Sequence, residues 1–234
     1  MTLLGKLKNF CETLTLDPAT RAVVWDRLTY LSPKKLRRLR CALKQVSDVE
    51  GDFLEFGVAL GGSGIILAKS KGTSRRFLGF DVFAMIPPPT SEKDDAKSKD
   101  RFQAIKSGAS KGIRGDKYYG YRDNLYPEVK ESFARHGVRV DGERICLYRG
   151  LFQDTWPTVS VNSIALAHID CDWYDPVKFC LQAVADKVSE GGVVIIDDYN
   201  DYGGCRTAVD EFIKQRPDFA FEPGANPFLR RKRV

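Results

Sequence analysis

Ile164-Ala-Leu-Ala-His-Ile-Asp170-Cys-Asp172, followed by Val193-Val-Ile-Ile-Asp197-Asp198, decides the fold of this 234-residue chain. Each stretch is a short apolar run that stops on two carboxylates. Runs without polar alternation mark strands covered on both faces, as in a parallel sheet. Pro176–Val188 has helical spacing and is closed by Gly191-Gly192, which predicts a strand–helix–strand unit. A right-handed crossover brings both carboxyl ends to one edge of the sheet, where neighbouring strands lie about 4.8 Å apart. Four aspartates then converge where open α/β sheets place their ligands. Their mutual repulsion calls for a counter-charge, and a hard divalent cation with oxygen ligands is the obvious one.

Upstream, Phe53–Gly57 reads as a first strand, Ser63–Lys69 as the helix after it, and Phe77–Asp81 as a second strand. Glu128–His136 reads as a helix, Arg144–Tyr148 as a third strand and Thr207–Lys214 as the last helix. Phe219–Phe221 and Phe228–Arg230 form a closing pair around Pro223-Gly-Ala-Asn-Pro227. This alternation predicts a doubly wound α/β sheet, mostly parallel, with an antiparallel closing strand. Residues 1–48 read as an N-terminal helical appendage to a domain spanning 49–234. Asp17-Pro18 with Thr20, and Ser32-Pro33, look like helix starts. Leu36, Leu39 and Leu43 form an apolar stripe, read as a docking face onto the main domain. From 82 to 126 the pattern breaks into Pro87-Pro-Pro89, a mixed-charge run and Tyr118-Tyr-Gly-Tyr121. A stretch this long inside a compact domain is a lid or a disordered insertion. The tyrosines favour a lid, because disordered segments are poor in aromatics.

Hydrophobic content of 43% and charged content of 29% are ordinary for a soluble globular protein. The net charge of +6 gathers in Lys34-Lys-Leu-Arg-Arg-Leu-Arg40 and Arg230-Arg-Lys-Arg233, read as solvated faces rather than a nucleic-acid patch. The six cysteines contain no CxxC pair, and several fall in core segments. With no signal peptide and no bilayer-length apolar run, a reducing cytoplasm is the expected compartment.

Glu55-Phe-Gly57-Val-Ala-Leu-Gly61-Gly-Ser63-Gly joins the first strand to the first helix and is not the G-x-G-x-x-G fingerprint. Its glycines let the backbone approach a ligand, and the helix start favours an anionic group. Glu55 beside the turn would repel a pyrophosphate but pair with an ammonium. Asp81, ending the second strand, is placed to accept from ribose hydroxyls. Together they favour S-adenosylmethionine over NAD.

The chain resembles the macrocin O-methyltransferase family of class I S-adenosylmethionine-dependent enzymes. The resemblance runs from Gly51 to Phe212. It rests on Phe53-Leu-Glu-Phe-Gly-Val, Gly115-Asp-Lys-Tyr-Tyr-Gly-Tyr, Gly150-Leu-Phe-Gln-Asp-Thr, His168-Ile-Asp-Cys-Asp-Trp-Tyr and Ile196-Asp-Asp-Tyr with Gly203-Gly-Cys-Arg. Family members commonly carry an acidic, Gly-containing segment after the second strand, where this chain has Phe83-Ala-Met-Ile-Pro-Pro-Pro. The resemblance implies a Rossmann-like fold, a role in antibiotic biosynthesis, and methylation of sugar hydroxyls with Mg²⁺. It implies Asp170, Asp197 and Asp198 as Mg²⁺ ligands and Asp172 as general base. Residue parity agrees, since Asp170 and Asp172 project to the same side. A vicinal diol, on a sugar or other small-molecule or glycan acceptor, could fill two metal positions.

Phe152 and Asp154 are expected near the adenine, with a helix N-cap as the alternative for Asp154. Ser63 either meets the methionine carboxylate or caps its helix. His168 reads as a core residue with a possible role at the site. Arg206 orients Asp198, meets a substrate oxygen or forms a surface ion pair, and Tyr199 is expected behind the site. Two rival functions remain: an RNA methyltransferase of the same fold, suggested by the basic clusters, and a non-catalytic, oligomeric S-adenosylmethionine-binding protein, suggested by the leucine stripe. A homo-oligomer is expected in either case.

Overall fold

The computed structural model describes residues 3–233. Its strands are β1 (Asp52–Phe56), β2 (Phe77–Asp81), β3 (Ile145–Arg149), β4 (Ile164–Ile169), β5 (Val188–Ile196), β6 (Phe219–Glu222) and β7 (Phe228–Arg231). They join in one sheet ordered β3-β2-β1-β4-β5-β7-β6. β7 runs antiparallel to both neighbours and all other pairings are parallel. Strand order reverses between β1 and β4, so the crevice beyond their carboxyl ends is the place a ligand is expected.

Strand parity divides the apolar residues between two helical layers. Phe53, Leu166 and Val193 face a cluster with Ile65 and Phe133, whereas Leu54, Phe56 and Ile196 face one with Val177, Leu181 and Phe212. The first cluster is covered by α4 (Gly62–Ser70), α6 (Leu125–Arg135) and the N-terminal helices α2 (Pro18–Trp25) and α3 (Pro33–Gln45), with α1 (Leu3–Leu14) packed against α2 and α3. The second lies under α8 (Tyr174–Ala185) and α9 (Gly203–Gln215). Asp17 and Ser32 cap α2 and α3, each with proline in the first turn.

The leucine stripe of α3 is buried in the same cluster as Phe53 and Phe228. It is therefore covered from within the chain and offers no face to a second copy. The basic run around it finds partners within the chain: Arg37 pairs with Glu12, Arg40 with Asp17, and Arg38 stacks 3.8 Å from the Phe228 ring centroid.

Two expectations need correction. Gly191-Gly192 does not close the helix, because α8 already ends at Ala185. Gly191, at φ +78°, lies inside β5, where the register with β4 jumps from Ile164↔Val188 to Leu166↔Val193. The glycines make a bulge that pulls β5 level with β4. The mixed-charge run in the insertion is also not irregular: it holds α5 (Ala96–Lys106), capped by Asp95, which accepts from the Ser98 amide at 2.8 Å. All six cysteines are free, and no helix among the described residues is long and apolar enough to cross a membrane.

Candidate active site

The registers Phe56↔Ile169 and Ile169↔Ile196 make β1, β4 and β5 stop level. The next residues, Gly57, Asp170 and Asp197, therefore lie side by side. The Asp170 amide donates to the Phe56 carbonyl and the Asp197 amide to the Ile169 carbonyl, both at 2.9 Å. Only glycine fits at 57: a Cβ would stand 1.8 Å from the Asp170 carbonyl oxygen, and φ is +93°.

A cavity of about 320 Å³ opens over this edge. Gly57, Ala59, Asp81 and Phe152 line it on the β1–β2 side, and Asp170, Asp172, Asp197 and Asp198 line it on the β4–β5 side. All four predicted aspartates thus meet in one space. Asp172 reaches it from a left-handed backbone at φ +58°, its amide donating to Asp198 Oδ2 at 3.1 Å. Burial, reinforced by Asp197, Asp198 and Asp172, pushes the Asp170 carboxyl well above the usual range. Burial and Asp198 do the same to Asp172, and burial with Asp197 lifts Asp198 to about 7.

Asp197 behaves oppositely. Burial works to raise it, but His168 and Lys35 outweigh burial and hold it below the usual range. Asp197 Oδ1 lies 3.8 Å from His168 Nε2, and its Oδ2 accepts from Lys35 Nζ at 2.7 Å. Lys35 also donates to the Asp197 carbonyl at 3.0 Å and to Asp201 at 2.8 Å. Burial opposes the Lys35 charge, but these partners prevail and raise its pKa.

Several predicted residues sit elsewhere than expected. Glu55, read as the ammonium partner, is fully buried behind the turn, accepting from or sharing a proton with His168 Nδ1 at 3.0 Å. Strand register explains this: Glu55 pairs with His168 across β1 and β4 and so points into the sheet's face, not beyond its end. Burial disfavours the charged imidazole, yet the Asp197 and Glu55 carboxylates on either side raise it to about 9. His168 thus lies fully buried between two carboxylates.

Asp81 does line the cavity, but its oxygens are engaged: Oδ2 accepts from the Val58 and Ala59 amides at 2.8 Å, and Oδ1 from Phe83 at 2.6 Å. It braces the glycine turn. Burial outweighs these bonds and raises its carboxyl. Gly61, at φ +90°, makes the αL step into α4, and Ser63 is buried in the first turn without capping the helix. Asp154 is exposed on the short helix α7 (Phe152–Thr155), where only Phe152 reaches the cavity. Arg206 is exposed and donates to the Tyr199 carbonyl, while the Tyr199 hydroxyl donates to Asp210, so both side chains have their bonds away from the Asp198 carboxyl.

The facing wall comes from outside the strand ends. Tyr30 and Lys35 arrive from the N-terminal segment, and Lys97, Arg101, Tyr118 and Tyr119 from the insertion. Tyr30 meets Tyr119 edge-on at 5.9 Å, and burial pushes the Tyr118 hydroxyl up to about 12.

With this geometry established, sequence relatives identify the chemistry. Residues 20–218 match the sequence profile of the macrocin O-methyltransferase (TylF) family. The chain belongs to this family. It is therefore an enzyme of the methyltransferase class. The demethyldecarbamoylnovobiocin O-methyltransferase of Streptomyces niveus is 30% identical over 190 residues, covering 79% of this chain and 67% of the relative. A Streptomyces olivaceus relative, the 8-demethyl-8-(2,3-dimethoxy-alpha-L-rhamnosyl)-tetracenomycin-C 4'-O-methyltransferase, is 30% identical over 204 residues, covering 84% and 72%. The solved O-methyltransferase NovP superposes with a TM-score of 0.72 at 25% identity, covering 88% of this chain and 83% of NovP. The sheet is accordingly a Rossmann-like class I methyltransferase sheet.

Proposed function

We propose that this chain transfers a methyl group from S-adenosylmethionine to a hydroxyl of a sugar or other vicinal diol, on a small molecule or glycan, with Mg²⁺ at the aspartate edge. The observation that carries this reading is that the glycine turn and the four aspartates open onto one cavity. Family membership supports the methyl donor, and the rhamnosyl acceptor in the name of the S. olivaceus relative supports the sugar.

The donor set fits a hard divalent ion. Asp170 and Asp197 offer oxygens within 4.8 Å of each other. Three neighbouring carboxyls are held above their ordinary range by burial and mutual repulsion, a penalty that a cation relieves. Asp170, Asp197 and Asp198 would hold the ion. His168, pressed between Glu55 and Asp197, serves as a counter-charge rather than a nitrogen ligand. When bound, S-adenosylmethionine supplies an electrophilic methyl on its sulfonium, and Mg²⁺ supplies Lewis acidity towards the acceptor oxygen.

The chain's own groups do the rest. The Asp172 carboxylate, made more basic by burial and by Asp198, takes the acceptor's hydroxyl proton. Asp81 fixes the turn that the donor must pass, holding the Val58, Ala59 and Phe83 amides at once. Phe152 offers an apolar face at the donor end, while Tyr118, Tyr119 and Tyr202 exclude water at the acceptor end.

Calorimetry tests this reading. S-adenosylhomocysteine is expected to bind the purified, donor-free protein. Asp170→Ala is expected to keep that binding and the fold while losing Mg²⁺ binding and metal-dependent turnover. Absence of S-adenosylhomocysteine binding would end the donor assignment. Full activity of Asp170→Ala without added metal would end the metal assignment.

A further inference from the structure

We propose that the Lys35 ammonium is the built-in counter-cation of the acid cluster and competes with the divalent ion for Asp197. The proposal rests on the metal reading above. Lys35 lies on α3, 162 residues from Asp197 in sequence, yet its ammonium touches three oxygens at the cavity edge: the Asp197 carbonyl, Asp197 Oδ2 and, just outside the cluster, Asp201 Oδ2. Its side chain is only 16% exposed and that of Asp197 7%, so little water stands in for the bonds.

Both Asp197 oxygens already have protein partners. Oδ2 belongs to Lys35, and Oδ1 faces His168 at 3.8 Å and the Asn226 amide nitrogen at 3.4 Å. An ion that takes Asp197 must therefore either displace the ammonium or sit beside it against the repulsion of a like charge. Asp201 gives Lys35 a place to go. It already accepts from the ammonium at 2.8 Å and is 45% exposed, so the lysine can withdraw toward solvent without α3 leaving the core. Three buried leucine and alanine neighbours on the same helix, Leu36, Leu39 and Ala42, anchor that position independently of the charge. Lys35 is thus a positioning residue that acts on the ion through Asp197. It offsets the mutual repulsion of the carboxylates and weakens the site for metal by the free energy of the bonds that must break.

The test is Mg²⁺ titration of the full-length protein by calorimetry, with thermal melts in parallel. Lys35→Met is expected to bind Mg²⁺ roughly tenfold tighter, the scale of one charge-assisted hydrogen bond no longer broken on binding. It should also melt lower than wild type without metal and gain more from added Mg²⁺. Lys35→Arg, which keeps the charge, should return affinity to the wild-type value. Lys35→Gln keeps a donor to the Asp197 oxygens and loses the charge; it should shift affinity in the same direction as Met and carries the test if Met does not fold. S-adenosylhomocysteine affinity equal to wild type verifies the fold of each variant. A purely structural lysine would lower the melting temperature without tightening metal binding. Unchanged or weaker Mg²⁺ affinity in the uncharged variants, with wild type binding normally, overturns the proposal alone. A wild type that binds no Mg²⁺ overturns the metal reading and this inference with it.

Discussion

Two walls of the same cavity are built in opposite ways. The aspartate wall comes from residues that directly follow β4 and β5, fixed by backbone bonds such as Asp197 to Ile169 at 2.9 Å. The facing wall is assembled from distant segments: Tyr30 and Lys35 before the sheet begins, and Lys97, Arg101, Tyr118 and Tyr119 from the insertion. The first is held by the sheet ladder, the second by side chains meeting across the fold. Chemistry common to a family belongs on the first kind of wall, because the ladder keeps its atoms in register. Selection among acceptors is expected on the second, where substitutions do not disturb the sheet.

The largest effect expected is on the first wall. Asp172→Asn removes the proposed base while suiting the left-handed backbone at φ +58°, which asparagine tolerates. Turnover should fall about 10³-fold, within the usual range for a general base. S-adenosylhomocysteine affinity should stay within about twofold, since the donor end of the cavity is untouched. The same variant should melt higher than wild type in the absence of metal, because it removes a like charge beside Asp198. Activity near wild type would move the proton acceptor elsewhere. A lower melting temperature would mean that Asp172 stabilises the cluster rather than straining it.

This contrast also explains what the sequence discloses. The aspartate wall is legible because an apolar run without alternation marks a buried parallel strand, and the first carboxylates after it mark its end. β2 is read to its final residue, Asp81, for the same reason. Glu55 is misplaced because a carboxylate near a glycine turn reads as a ligand; only pairing with His168 on β4 shows that it faces inward. Lys35 is hidden in a run of basic residues that resembles a solvated face. A signal was available, since Lys35, Leu39, Ala42 and Val46 follow helical spacing and the last three are fully buried. That spacing carries Lys35 one turn beyond the buried stripe, but not to Asp197, a contact that exists only once α3 and β5 are packed. α5 is hidden in the sequence because Asp95 and Ser98 supply a cap without an apolar periodicity strong enough to announce it.

A medium-sized effect tests the electrostatics of the aspartate wall as a whole. Asp198 is raised in the folded protein from 3.8 to about 7, and Asp170 and Asp172 are raised as well. A carboxyl raised on folding favours the folded state when protonated, so its stabilisation is lost as pH rises from about 4 through 7. His168, raised from 6.5 to about 9, contributes stability below 6.5 that is lost as pH rises through 9. Both act in the same direction. Metal-free protein should therefore melt roughly 5–10 °C lower at pH 8.5 than at pH 5.5. Saturating Mg²⁺ should remove most of the difference. A melting temperature that rises over this window without metal would refute the repulsive cluster.

The smallest effect is expected where the second wall is joined to itself. Arg27, at the unusual φ of +59° just after α2, pairs with Asp116 of the insertion at 3.0 Å. The two side chains are 44% and 41% exposed, so the pair is screened by water. A double-mutant cycle with Arg27→Ala and Asp116→Ala should give a coupling below about 1 kcal/mol in stability. Part of the single-mutant effect of Arg27→Ala should be a gain, since alanine removes none of the backbone strain but loses a long side chain's ordering cost. The informative readout is kinetic. The pair ties the N-terminal segment to the insertion beside the Tyr30–Tyr119 contact. Breaking it should raise the acceptor KM a few-fold while kcat and S-adenosylhomocysteine affinity hold, as loss of uniform binding does. A fall in kcat with constant KM would show that the second wall reaches the reacting atoms, and the division between chemistry on the sheet edge and selection on the packed segments would fail.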